Sequence, residues 1–295
     1  MSSLSSAAAR PPLPLRPYLL CAPALVLFAA LLLAPLLIIG LLSFHAFDYN
    51  LGVQDSWTLH QYLSVFTDDY YYSIFFRTFW ISLLTTALCA LIGVPEAYIL
   101  SRMGSPWKSI FLLIVLAPLL ISVVVRAFGW SMLLGPEGPL NQLLMLLGFD
   151  PVRILYTPTA VVIALVHVML PFMIIPVWTS LQKIDPALEA AALTLNASPF
   201  TAWRRVVLPQ IVPGILSGSL IVFGLAASSF AIPGLLGGRR LKMVATVVYD
   251  EYLHELNWPL GAAIAIILLL ANFAIMLSYN RLLEGFHRKR MGGPV

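Results

Sequence analysis

Along this chain, apolar stretches without a single Asp, Glu, Lys or Arg alternate with short charged connections. Six such stretches run over 17–47, 78–95, 109–125, 154–182, 206–238 and 256–280, with lengths of 31, 18, 17, 29, 33 and 25 residues. A helix needs about 20 mostly apolar residues to cross a hydrocarbon layer, with a range of roughly 17–25. The pattern therefore predicts six transmembrane helices, the two shortest stretches borrowing apolar neighbours beyond a flanking charge. A Pro-rich polar start, MSSLSSAAARPPLPLRP, has the composition of a disordered tail. The apolar run behind it lacks an A-x-A cleavage site and reads as a retained helix, not a signal peptide. Pro23 and Pro35 are tolerable kinks in a packed membrane helix.

Composition sharpens the picture. Hydrophobic residues make up 60% of the 295, charged residues only 10%, and the mean hydropathy is +0.91. A soluble domain carries about 25% charged residues, so this is a membrane protein. Lys and Arg set its orientation. With the N-terminal tail in the cytoplasm, Arg10, Arg16, Arg102, Lys108, Lys183, Arg204, Arg205, Arg281, Arg288, Lys289 and Arg290 lie inside. Arg77, Arg153, Arg239, Arg240 and Lys242 lie outside, and Arg126 falls within a span. Both termini are expected in the cytoplasm: a tail over 1–16, a transmembrane domain over 17–285, and a second tail over 286–295.

The segments on the outer side differ in character. Residues 44–72 carry Trp57, His60, Asp68, Asp69 and Tyr70 to Tyr72. Residues 135–157 open with GPEGPLNQLL, a turn followed by a short apolar helix, and 238–257 carry Tyr249, Asp250, Glu251, His254, Glu255 and Asn257. Aromatic residues at these depths are expected interface anchors. The second reading is that these loops meet a soluble protein that delivers substrate.

On the inner side, residues 185–213 read DPALEAAALTLNASPFTAWRRVVLPQIVP. Asp185 is a good N-cap and Pro186 suits the first helical position. Residues 187–195 are strong helix formers, and Asn196 accepts the left-handed conformation that ends helices. Ser198 and Pro199 repeat the cap-then-proline signal, so a second short helix is expected, closed by Pro209 and Pro213. Spacing alone leaves two readings, a helical hairpin on the membrane surface or a docking element.

The segment resembles the EAA loop of binding-protein-dependent ABC importer permeases. That pattern is Glu-Ala-Ala, three residues, Gly, nine residues, an aliphatic residue, one residue, Leu-Pro. Here Leu208 and Pro209 close it and Val206 fills the aliphatic place. Asn196 then takes the place of the glycine and Ala190 that of the glutamate, with Glu189 one position early, followed by Ala191 and Ala192. The stretch from Arg126 to Trp130, then Leu134-Gly135-Pro136-Glu137-Gly138-Pro139-Leu140-Asn141, resembles the spermidine/putrescine-type permeases. So does Asn257-Trp258-Pro259-Leu260-Gly261-Ala262-Ala263.

The resemblance spans about residues 17–285 and implies an all-α ABC importer type I permease fold. It has six transmembrane helices and a cytoplasmic coupling-helix loop between the fourth and fifth. It implies a multi-pass protein of the bacterial inner membrane that imports a polyamine or a related amine or amino acid. The alternatives are an opine, a phosphonate or a similar small solute. Implied partners are an ATPase dimer, a second and different permease chain, a periplasmic substrate-binding protein and membrane lipid, with no nucleic acid. Contacts to the ATPase are implied for Asp185, Glu189, Ala190, Ala191, Asn196, Ala197, Leu208 and Pro209.

Other chemistry is sparse. Cys21 and Cys89 both sit in apolar runs and imply neither a disulfide framework nor a metal site. The five histidines are scattered, with no H-E-x-x-H, no G-x-S-x-G and no G-x-x-x-x-G-K-[ST]. No catalytic residue and no cofactor are expected in this chain, and ATP and Mg belong to the partner ATPase. A membrane enzyme would need a nucleophile or a metal cluster. A secondary transporter would need ion-coupling carboxylates at mid-membrane, and Glu96 is the one acidic residue within an expected span.

Polar residues inside spans are candidates for the substrate pathway. Glu96, about two turns from the inner end of the second helix, and Arg126, near the outer end of the third, are placed to snorkel. The functional reading of Arg126 is a gate residue beside Trp130. His167 and Asn272 are expected to bond neighbouring helices. Ser228, Ser229 and Phe230 precede Pro233 and Gly234, a cluster able to break a helix and line the pathway.

Overall fold

The computed structural model describes the backbone of residues 15–238 and 240–291, and side chains over 20–238, 240–279 and at 281. The expected 1–16 tail lies almost wholly outside the described residues, as do the side chains of the 286–295 tail. Helices dominate. They are α1 (Leu15–Leu42), α2 (His60–Thr67), α3 (Asp69–Arg102), α4 (Trp107–Leu116), α5 (Val123–Leu133), α6 (Pro139–Leu146) and α7 (Pro158–Leu181). Then come α8 (Pro186–Thr194), α9 (Pro199–Ala202), α10 (Leu208–Ala227), α11 (Ala231–Leu236), α12 (Val244–Leu253) and α13 (Trp258–Met291).

Among the described residues five helical segments are long and apolar enough to cross a membrane: Leu20–Leu42, Asp69–Arg102, Pro158–Leu181, Pro199–Ala227 and Trp258–Tyr279. The remaining expected span, the third along the chain, is not straight. Residues 107–120 and 123–133 form two limbs bent by 98°, so the 109–125 window straddles a break. A tight turn over Ala117–Leu120 contains Pro118, Ile121 is extended, and Ser122 starts the second limb. Proline removes a backbone donor and crowds the preceding turn, while Ser122 holds the cap position without a side-chain cap bond. Arg126 therefore stands in the first turn of α5, just past the bend, and not at the outer end of a straight helix.

Helix α7 is the axis of the bundle. Twelve of its residues are buried, from Ala160 to Leu181, and it packs on both α3 and α10, which also pack on each other. Lipid gives helices little hydrophobic reason to associate, so close packing over small residues takes that role. Gly214 and Gly218 supply it. A Cβ at Gly214 would fall 2.7 Å from the Pro176 carbonyl oxygen, and one at Gly218 would fall 2.8 Å from Met173 Sδ. Met173, fully buried, fills the space this leaves. Helix α1 stays on the outside against α13, its large apolar side chains exposed from Leu20 to Leu41. That surface is compatible only with lipid or another apolar protein surface.

The all-α class holds, with one small addition, an antiparallel hairpin of His45–Asp48 and Gly52–Trp57 between α1 and α2. Asp48 Oδ1 accepts from the backbone N–H groups of Asn50 and Leu51, and Gly52 takes a φ of 75° to close the turn. Two finer expectations change. The second short helix after residue 198 does not stop at Pro209 or Pro213. It runs through a wide turn, Trp203–Val207, into α10, so 199–227 is one span. Among the described residues Asn272 makes no hydrogen bond to a neighbouring helix; its Nδ2 donates to Leu268 O of its own helix at 3.0 Å.

Candidate functional site

The loop between α7 and α10 is built by its caps. Asp185 accepts from the Ala187 N–H at 2.9 Å, and Pro186, which has no N–H to lose, begins α8. Asn196 ends the helix at φ 63°, its N–H donating to Leu193 O at 3.0 Å while the Ala197 N–H donates to Ala192 O at 3.1 Å. These two bonds make a Schellman C-cap, with asparagine at the left-handed position usually held by glycine. Ser198 then accepts from the Thr201 N–H at 3.2 Å to start α9. In the wide turn the Leu208 N–H reaches Trp203 O, five residues back, which lets the helix take Pro209 without a clash.

Helix α8 buries none of its residues. Ala190, Ala191, Asn196 and Leu195 face solvent, as does Phe200, while Ala197, Leu208 and Pro209 are half-buried. A helix of small side chains with exposed Leu188, Leu193 and Leu195 beyond the ends of the spans is an uncovered apolar surface. Glu189 is the exception, turned inward: Oε1 accepts from the Tyr98 hydroxyl at 2.8 Å, and the other oxygen forms an ion pair with the Arg102 guanidinium. Arg102 also lies over the Tyr98 ring, 5.2 Å from its centroid. Residue pattern gives no hint of these two α3 partners, because they lie far from the loop in sequence.

At the other end of the bundle the candidate pathway residues fall into two groups. Trp130 Nε1 donates to His167 Nδ1 at 3.2 Å, tying α5 to α7, so His167 does join helices. Arg126 sits one turn before Trp130. Its Nε and Nη1 are enclosed without a hydrogen-bond partner among the described residues, while the residue as a whole is half-buried. Glu96 Oε2 is likewise enclosed and unpartnered. The second group is the break after α10. Ser228 caps the helix, its Oγ donating to Gly224 O at 2.8 Å, and α11 begins after Phe230. Among the described residues no hydrogen bond joins Ser228, Ser229 or Phe230 to Arg126 or Trp130, although α11 packs on α5.

Phe230 stacks on Tyr249 of α12, ring centroids 5.4 Å apart. The two open onto a cleft of about 450 Å³ lined also by Val248, Tyr252, Leu253 and Leu268. On α12 lie Asp250 and Glu251, with Glu255 two residues past its end. Asp250 pairs with Lys242 at 2.7 Å, and that hydrogen bond raises the Lys242 pKa. Burial pushes the Glu251 carboxyl up to about 7, with neighbouring Glu255 adding to the shift and Lys242 opposing it. Arg77 Nη1 donates to the carbonyls of Arg240 and Lys242 at 3.4 and 3.3 Å, anchoring this segment to α3. Among the described residues no group of three or more His, Cys, Asp or Glu comes together to hold a metal ion.

Comparison with known proteins places this geometry. No family model matches the chain. It is 34% identical over 234 residues to the spermidine/putrescine transport system permease protein PotB of Haemophilus influenzae, covering 79% of this chain and 82% of that one. It is 33% identical over 259 residues to PotB of Escherichia coli, covering 87% and 93%. Among solved structures, one chain of a bacterial alginate ABC transporter in complex with an alginate pentasaccharide-bound periplasmic protein superposes with a TM-score of 0.74. It has 21% identity and covers 90% of this chain and 93% of that one. At that identity the likeness concerns the fold alone.

Proposed function

Because this chain belongs to the family of spermidine/putrescine transport system permeases, we propose that it forms half of the pathway by which an ATP-driven importer carries a polyamine across the inner membrane. It is a multi-pass transport subunit and not an enzyme. The observation that carries the reading is the likeness to the permease relatives over most of both chains.

The rest of the proposal follows the chain. Residues 17–285 form the permease domain, and the tails at 1–16 and 286–295 lie in the cytoplasm. An ATPase dimer, holding ATP and Mg, docks on the loop through Asp185, Ala190, Ala191, Asn196 and Ala197. Leu208 and Pro209 carry the motion into α10. A second permease chain covers the exposed faces of the spans, and a periplasmic binding protein delivers the cargo. Arg126 and Trp130 on one side and Ser228, Ser229 and Phe230 on the other line the route. The aromatic cleft at Phe230 and Tyr249 offers apolar walls for the methylenes of an alkylammonium chain and ring faces for its charged ends.

The test is uptake in vesicles holding the whole complex, with labelled spermidine and putrescine. Saturable, ATP-dependent uptake of either is the expected result. Uptake of neither, with robust uptake of an opine or a phosphonate, would replace the polyamine assignment. Orientation is tested separately by replacing Cys21 and Cys89 with Ser and placing single cysteines at Asp150 and Thr194, both exposed. Labelling of the first from outside and of the second only after permeabilisation is expected, and the reverse pattern inverts the topology.

A further inference from the structure

Helix α8 has no buried residue to hold it against the bundle. It packs on α9 and the wide turn that follow it in the chain. Toward α3 it borders a cavity of about 480 Å³ lined by Ser101, Arg102, Lys108, Ile184, Pro186 and Glu189. The bridge across that gap is polar. Glu189 reaches Tyr98 and Arg102, side chains one turn apart on the last turns of α3. The Glu189 side chain is 13% exposed, against 46% for Arg102. The carboxylate is therefore the sheltered member: Oε1 accepts one hydrogen bond, from the Tyr98 hydroxyl, and Oε2 meets Arg102 as an ion pair without a hydrogen bond of its own.

The geometry points to a latch: Glu189, Tyr98 and Arg102 fix the orientation of α8 on the second span, so that a push on α8 moves α3 as well as α10. In this inference Glu189 is a positioning residue inside the permease and not a contact to the ATPase. The one-residue displacement from the family's glutamate position accounts for its direction. On an α-helix neighbouring positions differ by about 100°, so a glutamate at 189 points to a different side from one at 190. Ala190 faces outward here and Glu189 faces α3. A charged pair with a phenolic donor suits a latch better than apolar packing, because its directional bonds hold one rotation of a short helix. The inference rests on the reading of the loop as the ATPase's docking element.

The experiment uses the complete complex of both permeases, ATPase and binding protein in proteoliposomes. It measures spermidine uptake per ATP hydrolysed and the ATPase that co-purifies with the permease. Arg102→Glu and Glu189→Arg are each expected to lower uptake per ATP about tenfold, since each removes the ion pair and sets like charges against each other at a sheltered site, with the ATPase still attached. Tyr98→Phe, the mildest change, lowers it severalfold. The double swap, Glu189→Arg with Arg102→Glu, restores most of the loss, a rescue that general damage to the fold would not show. Unchanged coupling in the single variants overturns the latch. Loss of the ATPase in Glu189→Arg alone, without rescue by the double swap, also overturns it, since Glu189 would then touch the ATPase. Ala191→Glu reports on the docking reading separately: full uptake with normal ATPase retention removes that reading, and the latch with it, whatever the swaps show.

Discussion

Trp130 donates its indole N–H to Nδ1 of His167 at 3.2 Å, with the rings edge to face and their centroids 5.6 Å apart. For Nδ1 to accept, the imidazole must be neutral with its proton on Nε2. The bond fixes the ring of a residue on the central helix α7 from the limb that follows the bend, one turn beyond Arg126.

This pair yields the first prediction. Trp130→Phe keeps the aromatic body and loses the donor, and one neutral hydrogen bond is worth about 1 kcal/mol. Uptake is expected to fall about fivefold at unchanged membrane abundance, measured by immunoblot beside the transport assay. His167→Gln, whose amide oxygen still accepts, should keep most of the activity. Equal damage from both variants would mean that the ring itself, and not the bond, is what matters.

The second prediction concerns the close approach of α7 and α10. At Gly214 a new Cβ meets the Ser180 hydroxyl first and then, at 2.7 Å, the backbone oxygen of Pro176, which cannot swing away. At Gly218 it is Met173 Sδ at 2.8 Å, the end of a flexible side chain. Gly224 has open space around it. Thermal unfolding of the purified complex should therefore rank Gly214→Ala as the most destabilised, by about 1–3 kcal/mol for overpacking. Gly218→Ala comes next, and Gly224→Ala stays close to the parent. A loss at Gly224→Ala matching that at Gly214→Ala would refute the packing argument.

Glu251 gives a pH dependence. Its carboxyl titrates at about 7 in the folded chain against an ordinary value of 4.5, chiefly because α12 buries it against its neighbours. The folded state thus holds this proton more tightly than the unfolded chain. The resulting stabilisation is complete below about 4.5 and is lost as pH rises through 7. Titratable groups around it include Asp250, Glu255 and Lys242, and Tyr71 on α3. Melting temperatures from pH 5 to 8 should fall more steeply for the parent than for Glu251→Gln. Parallel curves would show that Glu251 does not carry the effect.

Much of this fold was legible because lipid enforces one rule on every span, a backbone satisfied within the helix and no stray charge. That rule does not see bends. Pro95, Pro171 and Pro176 lie inside continuous helices while Pro118 sits in the turn that breaks one, and nothing in the local residue pattern separates them. The loop's first half was readable from Asp185 to Asn196 because caps are local. Its second half was not: Pro209 and Pro213 look like stops, and the wide turn at 203–207 absorbs the first of them. The partners of Glu189 were invisible for a different reason. Tyr98 is 91 residues away, and only the packing of α3 beside the loop brings it close.

The last prediction returns to Asn196. Its φ of 63° costs a side-chain-bearing residue about 1–2 kcal/mol, less for asparagine, whose short amide tolerates this region. Asn196→Gly restores the family's residue and should be neutral to slightly stabilising, since glycine enters the left-handed region without a Cβ penalty. Asn196→Val places a β-branched side chain there and should unwind the last turn of α8, releasing the bonds from Asn196 N–H to Leu193 O and from Ala197 N–H to Ala192 O. The exposed face that holds Ala190 and Ala191 would then lose its shape without any change in its own residues. Pull-down of the ATPase should weaken for Asn196→Val and stay normal for Asn196→Gly, with membrane abundance equal in both. Normal retention in Asn196→Val would mean that the ATPase grips this loop through something other than the helical form of α8.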